Sequence, residues 1–376
     1  MQGSPLKVLH FVAGGFTGST AVAIDLVNAT KDRPDIVSRL VLRKRPTTDI
    51  NQVKRLHDAG VPVTLISGGL KLITIIRLCF ICRKFKPDIL VAHGFTEHLW
   101  GRYAGLLAGV PHLVHVEHNS RENYSWWRLL QAHFLTRYTS AIIACAQGVK
   151  IQLEKLRFPV CKIAVITNGI SLERFEAADN HPFVNRVQGI VMPARFGKQK
   201  DHTTVIKALA ILRDKGITVP TTFAGLGHPR YLKNAKELTQ SLQLEQQITF
   251  AGHVNNLPEL LTQHQICLLS SRYEGMPIAL AEGMAAGCAV IGSAVPGIQE
   301  MIQTEKDGLL VIPNSPEDLA LAIERLLTDQ TFAQNLATAA RQRAMAEFSL
   351  TRMREQYESL YFTLNNRRDA ESHLVH

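Results

Sequence analysis

The sequence predicts an α/β protein built from two successive strand–helix series, each wound around a largely parallel sheet. Three observations carry this. Short apolar runs of strand length recur along the chain and alternate with helical stretches. Glycine turns follow several of these runs, at Gly14-Gly15, Gly225-Leu226-Gly227 and Gly252-His253. The 376 residues, 46% of them hydrophobic, are enough for two medium domains.

The first series opens with Lys7–Ala13, whose apolar residues read as a strand. Gly14 to Thr20 is a glycine turn, and Ala21–Val27 a helix. Strand, glycine turn and helix are the arrangement in which backbone amides approach a phosphate. The turn is not G-x-G-x-x-G, so a dinucleotide site is not indicated. Further strands are expected near 37–42, 63–66, 89–92, 112–116, 141–144 and 163–166. Leu70–Lys86 is helical, apolar around much of its circumference and punctuated by Arg77, Arg83, Lys84 and Lys86. It reads as a helix packed on the sheet; the alternative is a basic amphipathic face touching a membrane. Trp126-Trp127-Arg128 is a second candidate for interfacial contact.

His93-Gly94 and His115-Val116-Glu117-His118-Asn119 both follow expected strands. Ligands of parallel sheets bind beyond the strand C-termini, so His118 is a candidate hydrogen-bond donor or proton carrier. A metal site at His115, Glu117 and His118 is not expected, with Glu117 read as facing away from His115 across the strand.

The net charge is +10. Residues 1–179 hold 23 Lys and Arg against 13 Asp and Glu, and the remainder balances. The excess suits an anionic membrane surface, a phosphorylated acceptor or nucleic acid, and equally plain solubility. No apolar run is long enough to span a bilayer. The six cysteines are scattered, and Cys79-x-x-Cys82 has no second pair, which points to reduced thiols in a cytoplasmic protein. The opening residues run straight into a strand without a signal-peptide layout.

Phe175–Pro182 is polar, poorly patterned and read as a linker. The second series starts at Gly189–Ala194, with Arg195 at the strand end and Lys198 and Lys200 in the following loop. Cations beyond a strand's C-terminus suit a pyrophosphate. A helix spans His202–Lys215, and strands follow at 221–224, 248–251 and 266–269.

Arg272–Ala289 (R-Y-E-G-M-P-I-A-L-A-E-G-M-A-A-G-C-A) then organises the second half. A strand ends at Ser270-Ser271, a polar turn follows, and a small-residue helix runs from about Ile278 to Ala286. Pro277 suits its first helical position. A helix N-terminus favours a phosphate-bearing ligand. Glu274 and Glu282 bracket the turn, eight residues and roughly 12 Å apart at helical rise. That is wide for two carboxylates sharing one glycosidic bond, which need about 5–9.5 Å. Separate tasks along an extended ligand remain open, as does the plainer alternative of a helix-start carboxylate and a solvated glutamate. A strand at 289–292, a turn and strand at 307–311, a helix at 316–327 and a last helix from Phe348 to Asn366 complete the series, with Arg367–His376 a frayed tail.

Taken together, Glu274-x7-Glu282, Arg195 with Lys200, Asn168-Gly169, Gly225-x-Gly227, Gly287–Ile291, Glu300 and Asp307–Val311 resemble the large retaining GT-B glycosyltransferase group, glycosyltransferase family 4. The resemblance covers the whole chain and is strongest after Asn168. Pro296-Gly297, where the family often has Gly-Gly, Ser171, where it often has Asp, and Leu350, where Trp is frequent, depart from its pattern.

The resemblance implies two Rossmann-like domains with parallel sheets facing a central cleft, divided at 1–180, 181–350 and a C-terminal helix from 351 that crosses back to the first domain. It implies a nucleotide-sugar donor, most often a UDP-sugar, and a glycan or lipid-linked acceptor in polysaccharide or lipopolysaccharide synthesis at the inner membrane face, with no obligatory metal and no nucleic acid. Arg195 and Lys200 would hold the diphosphate, Glu282 the ribose and Glu274 the donor sugar. Gly225, Gly275, Met276, Pro277 and Ile278 complete the donor-binding set, and Gly15 would approach the donor from the first domain. Glu274 and His118 are the expected catalytic residues. The alternatives are a sugar-nucleotide epimerase on the same fold and a non-catalytic basic module binding nucleic acid or membrane.

Overall fold

The computed structural model describes residues 4–16, 18–46, 48–94, 96–120 and 124–373, with side chains to 366. Thr17 of the glycine turn and residues 374–376 of the expected tail lie outside these. The chain forms two compact units, Met1–Asn168 with Thr351–His376, and Gly169–Leu350.

In the first unit the elements are β1 (Leu6–Ala13), α1 (Gly18–Asn28), β2 (Ile36–Arg43), α2 (Ile50–Asp58), β3 (Val63–Ile66), α3 (Lys71–Phe85) and β4 (Ile89–His93). They continue with α4 (Glu97–Ala108), β5 (His112–Glu117), α5 (Trp126–Thr136), β6 (Thr139–Ala144), α6 (Gln147–Lys155) and β7 (Ile163–Val165). The sheet order is β3-β2-β1-β4-β5-β6-β7, and every pairing is parallel. The central strands are buried on both faces, which is why they read as continuous apolar runs. The order reverses between β1 and β4, so connections leave those two strands in opposite directions and open a crevice beyond their C-terminal ends.

The second unit comprises β8 (Val187–Pro193), α7 (His202–Asp214), β9 (Thr221–Ala224), α8 (Pro229–Ser241), β10 (Ile248–Gly252), α9 (Leu257–Thr262) and β11 (His264–Leu269). After these come α10 (Ile278–Ala285), β12 (Ala289–Ser293), α11 (Pro296–Gln299), β13 (Leu309–Val311), α12 (Pro316–Thr328) and α13 (Gln330–Glu347). Its parallel sheet runs β10-β9-β8-β11-β12-β13 and switches direction between β8 and β11. Helix α13 is absent from the sequence reading above. Its buried face is mostly alanine (Ala333, Ala337, Ala340 and Ala344, with Leu336), a weak hydrophobic signal.

Phe175–Pro182 is not a bare linker. Leu172–Asn180 winds into a 3₁₀ helix with Phe175 and Ala178 buried. Arg341 grips it, with Nη2 2.9 Å from both carboxylate oxygens of Asp179. The chain crosses between the units at 168/169 and again at 350/351.

The last helix, α14 (Leu350–His373), groups with the first unit. It runs past the expected end at Asn366. Met353, Tyr357, Tyr361 and Leu364 are buried at helical spacing, and Arg33 Nη1 reaches Glu358 at 3.0 Å. Among the described residues no helix is long and apolar enough to cross a membrane. All six cysteines are free.

Candidate active site

The switch point of the second sheet collects the residues that the sequence singled out there. Strands β8 and β11 are separated by some 75 residues of chain yet lie side by side, so the loops beyond their ends meet. Asp201 N donates to Ser270 O at 3.0 Å, and Arg272 N to Gln199 O at 2.9 Å. Lys200 and Ser271 form an antiparallel bridge. This pairing delivers the Lys200 ammonium to the Glu274 carboxylate as a close ion pair. Gln199 Nε2 donates to the other carboxylate oxygen at 3.1 Å and to Tyr273 O at 2.9 Å. Glu274 is 5% exposed, so the pair sits where water screens it little. A cleft lined by Lys198, Lys200, Asp201, Tyr231 and Arg272 opens beside the loop.

Arg195, just past β8, is exposed and makes no hydrogen bond or ion pair among the described residues. Its guanidinium is available to an anion. Gly225, just past β9, lies against the end of β8. A Cβ there would overlap the Ala194 carbonyl oxygen and stand 2.8 Å from its carbon. Gly275, Met276 and Pro277 are buried and Ile278 half-buried. Pro277 is the N-cap of α10 rather than its first helical residue. Its ψ of 108° is extended, and its carbonyl accepts from Leu280 N at 3.1 Å. No side chain caps this helix, and its first turn holds no acid.

Glu282 is buried inside α10 and meets Arg174 Nη1 at 3.3 Å. The two glutamates therefore have separate cationic partners. Asp307 is structural: buried, it accepts from Gln303 N at 2.7 Å and pairs with Arg343 at 2.8 Å.

One contact holding the site loop was invisible in the sequence. Gly297, at the start of α11, lies under the turn. A Cβ at this position would penetrate the Gly275 carbonyl oxygen and stand 2.9 Å from Glu274 O. Glycine is what lets α11 approach the backbone of the Glu274 loop.

In the first unit, Gly14 follows β1, and its N–H donates to Arg43 O at 2.8 Å. Gly15, next to it, is half-buried beyond the C-terminal end of β1. His118 is half-buried just past β5, and its Nε2 lies 3.2 Å from His93 Nδ1. His93 Nε2 in turn lies 3.1 Å from His10 Nδ1. The rings of His93 and His118 stack at 18° between planes, and those of His10 and His93 at 26°. Burial pushes His10 down to about 3 and His118 down to about 4, and holds His93 well below the usual imidazole range. His118 is thus a neutral group at neutral pH, suited to hydrogen bonding more than to carrying a proton.

Beside this file, the expectation that Glu117 faces away from His115 is corrected. Side chains two apart on a strand share a face, and His115 Nε2 lies 3.5 Å from Glu117 Oε2. Ligand atoms of His98, His115 and Glu117 fall within 4.8 Å of one another. Arg102, fully buried, brings Nη2 to 2.6 Å from His98 Nδ1. Arginine only donates, so neutral His98 carries its proton on Nε2, which faces Tyr124 Oη at 3.1 Å. The Tyr124 hydroxyl donates to Glu117 at 3.0 Å. Arg102, His98, Tyr124 and Glu117 are thus joined in one buried chain of hydrogen bonds, while His115, stacked on His98 with ring centroids 3.9 Å apart, has no hydrogen bond at either ring nitrogen among the described residues.

Two further features escaped the sequence reading. Arg43 and Arg45 converge on buried Glu97 at the start of α4, with Arg43 Nε at 2.8 Å and Arg45 Nη2 at 3.1 Å. Their only sequence signal was a basic run after β2. His10, read above only as part of a strand, is the inner end of the histidine file.

Comparison with known proteins agrees with this architecture. Residues 16–174 match the family model described as Glycosyltransferase Family 4, and residues 174–343 match that of Glycosyl transferases group 1. An Escherichia coli UDP-Gal:alpha-D-GlcNAc-diphosphoundecaprenol alpha-1,3-galactosyltransferase is 25% identical over 80% of this chain and 81% of its own length. A lipopolysaccharide core biosynthesis glycosyltransferase of Rhizobium meliloti is 24% identical over 94% and 98%. The crystal structure of Anabaena HepE in complex with UDP and glucose superposes with a TM-score of 0.82 at 19% identity, over 95% of this chain and 100% of that one. The two family matches together run from residue 16 to 343, and with the fold they place this chain in the group 1, family 4 glycosyltransferases of GT-B fold.

Proposed function

We infer that the protein transfers a sugar, with retention of anomeric configuration, from a nucleotide-sugar donor to a glycan or lipid-linked acceptor. The observation that carries this is the Lys200–Glu274 ion pair at the switch point of the second sheet, beside the uncapped start of α10. Arg195, Lys200 and the α10 amides counter the charge that develops on the departing diphosphate. Glu274 and Gln199 accept and donate hydrogen bonds to donor-sugar hydroxyls. Glu282 takes the ribose hydroxyls, and Gly225 with Gly275, Met276, Pro277 and Ile278 forms the donor-binding wall. In the first unit, Gly15 and His118 lie beyond the C-terminal ends of β1 and β5, where a ligand of that parallel sheet would bind. Two cations and a helix start supply the counter-charge that a divalent ion provides in other transferases, so no metal is required. A UDP-sugar is the first donor to try, given the UDP in the names of both the E. coli relative and the Anabaena complex.

A thermal-shift screen against UDP, GDP, ADP and their sugars tests the donor. UDP at 100 times its Kd is expected to stabilise the protein by about 2.7 kcal/mol. Transfer is expected to continue in excess chelator; complete loss would sink the metal-free mechanism. Release of an altered free nucleotide sugar without acceptor would point to epimerisation instead.

The acceptor side carries a membrane-facing surface. Helix α3 buries Thr74, Leu78, Cys82 and Phe85 against the unit, while Leu72, Ile76 and Phe80 stay exposed among Arg77, Arg83 and Lys84. Helix α3 packs on α4 and α4 on α5, where Trp126, Trp127 and Leu130 are also exposed. Apolar anchors flanked by cations suit an anionic bilayer surface, where a lipid-linked acceptor resides. Phe80→Ser combined with Trp126→Ser is expected to abolish co-sedimentation with anionic vesicles while leaving transfer to a soluble acceptor analogue unchanged. Undiminished sedimentation would remove this surface from the reading.

A further inference from the structure

Three arginines fasten helix α10 to the 3₁₀ segment Leu172–Asn180. Arg186, buried, donates from Nη1 to the carbonyls of Ala286 at 2.8 Å and Gly287 at 2.9 Å. Its Nη2 reaches Ala178 O at 3.4 Å, and its Nε reaches His181 O, just past the segment, at 2.9 Å. Arg341 Nη1 donates to Ala285 O and, at 3.3 Å, to Phe175 O. Both guanidiniums therefore bridge the carbonyl end of α10 and the segment, the end where cations suit a helix. Phe175 is fully buried and anchors the segment from within.

Arg174 is the third. It precedes Phe175 on this fixed base, and its Nη1 donates to Glu282 Oε1 at 3.3 Å, across 108 positions of chain. The Glu282 side chain is 10% exposed and that of Arg174 49%. A half-exposed pair of this kind adds little to stability. What it supplies is orientation. Glu282 has several rotamers open to it on a helix, and a guanidinium held on a fixed base selects one of them. A carboxylate offers about four acceptor sites, so the arginine bond leaves Glu282 able to accept from a pair of hydroxyls as well.

We propose that Arg174 is a positioning residue for the donor: it holds the Glu282 carboxylate in the rotamer that receives the two ribose hydroxyls, and so sets the preference for a ribonucleoside diphosphate over its deoxy form. This rests on the reading of Glu282 as the ribose contact. Arg174 acts through Glu282.

The test titrates the full chain calorimetrically with UDP and with 2′,3′-dideoxy-UDP; if the thermal-shift screen selects another base, the same pair of that base is used. The native protein is expected to bind UDP about 10- to 100-fold more tightly than the dideoxy form, the worth of hydrogen bonds to a charged acceptor. Arg174→Ala is expected to weaken UDP by about tenfold and to leave the dideoxy form within about twofold of native, so that the two deletions do not add. Arg174→Lys keeps a cation but not the planar fork, and should recover part of the discrimination. The melting temperature should stay close to native in both variants. If Arg174→Ala fails to fold, Arg174→Gln gives the same comparison. Equal weakening of both ligands, shrinking as salt is added, would make Arg174 a distant counter-charge and overturn the proposal. So would full discrimination in Arg174→Ala where Glu282→Ala has lost it. Equal binding of the two forms by the native protein overturns the ribose reading of Glu282, and the proposal with it.

Discussion

Lys200→Ala is expected to lower transfer by about 10²–10³-fold, the range found when one preorganised charge-stabilising donor is removed. Lys200 is placed by backbone pairing between the loops after β8 and β11, so no neighbour can take over its position. Glu274→Ala should be as damaging, since it deletes the sugar contact and leaves the ammonium unopposed. Stability changes need separating from chemistry. Removing one member of a buried pair can cost about 3–5 kcal/mol. Here Lys200 keeps 15% side-chain exposure, and Gln199 still holds Glu274 in the lysine variant. The loss should therefore sit near the low end, and the variant should remain folded. Thermal melts beside kcat/KM measure both quantities, and Glu274→Gln supplies a shape-preserving control. Folded protein with near-native rates in either alanine variant would mean that the pair is a structural brace and the donor sits elsewhere.

The second large effect is expected far from any charge. Gly297→Ala adds one methyl group, but it must enter space held by the Gly275 carbonyl. Both partners are backbone, so neither can step aside by changing rotamer. Either α11 withdraws or the Glu274–Pro277 turn shifts. Overpacking of this kind costs about 1–3 kcal/mol, and a shift near 1 Å at a positioned group can cost about 100-fold in rate. The variant is expected to lose donor binding and turnover together, read by isothermal titration with the nucleotide diphosphate and by steady-state rates. Unchanged donor affinity and kcat would show that the turn tolerates the displacement. Pro296→Gly is the useful contrast, because it restores a Gly-Gly pair without adding any atom to the contact.

What could be read in the residues followed from local rules. Fully buried parallel strands such as 189–194 and 266–269 are short apolar runs, and the turn before α10 declares itself through Gly275 and Pro277. Arg195 and Lys200 were legible as cations past a strand end, and His118 as a histidine past another. Glu274 was ambiguous by spacing alone and gained meaning only from the order of the surrounding motifs. Helix α13 went unread because alanine faces carry little hydrophobic contrast. Phe175–Pro182 looked like a linker because the short 3₁₀ turns it forms have no regular apolar period. His115 and Glu117 were misjudged when the two-residue period of a strand was applied one step out of phase.

The sequence by itself determined the strand–helix alternation, its division into two series and the residue types found at the second switch point. These follow from periodicity, turn chemistry and composition, which act over a few residues. Only the tertiary structure decided which strand lies beside which. Setting β8 against β11 makes Lys200 and Glu274 partners across 74 positions, and setting β1 against β4 brings His10 to His93 across 83. Strand order is a property of the assembled sheet, fixed by how helices cover both faces. No local pattern encodes it, and the groups proposed to do the chemistry are those that it brings together.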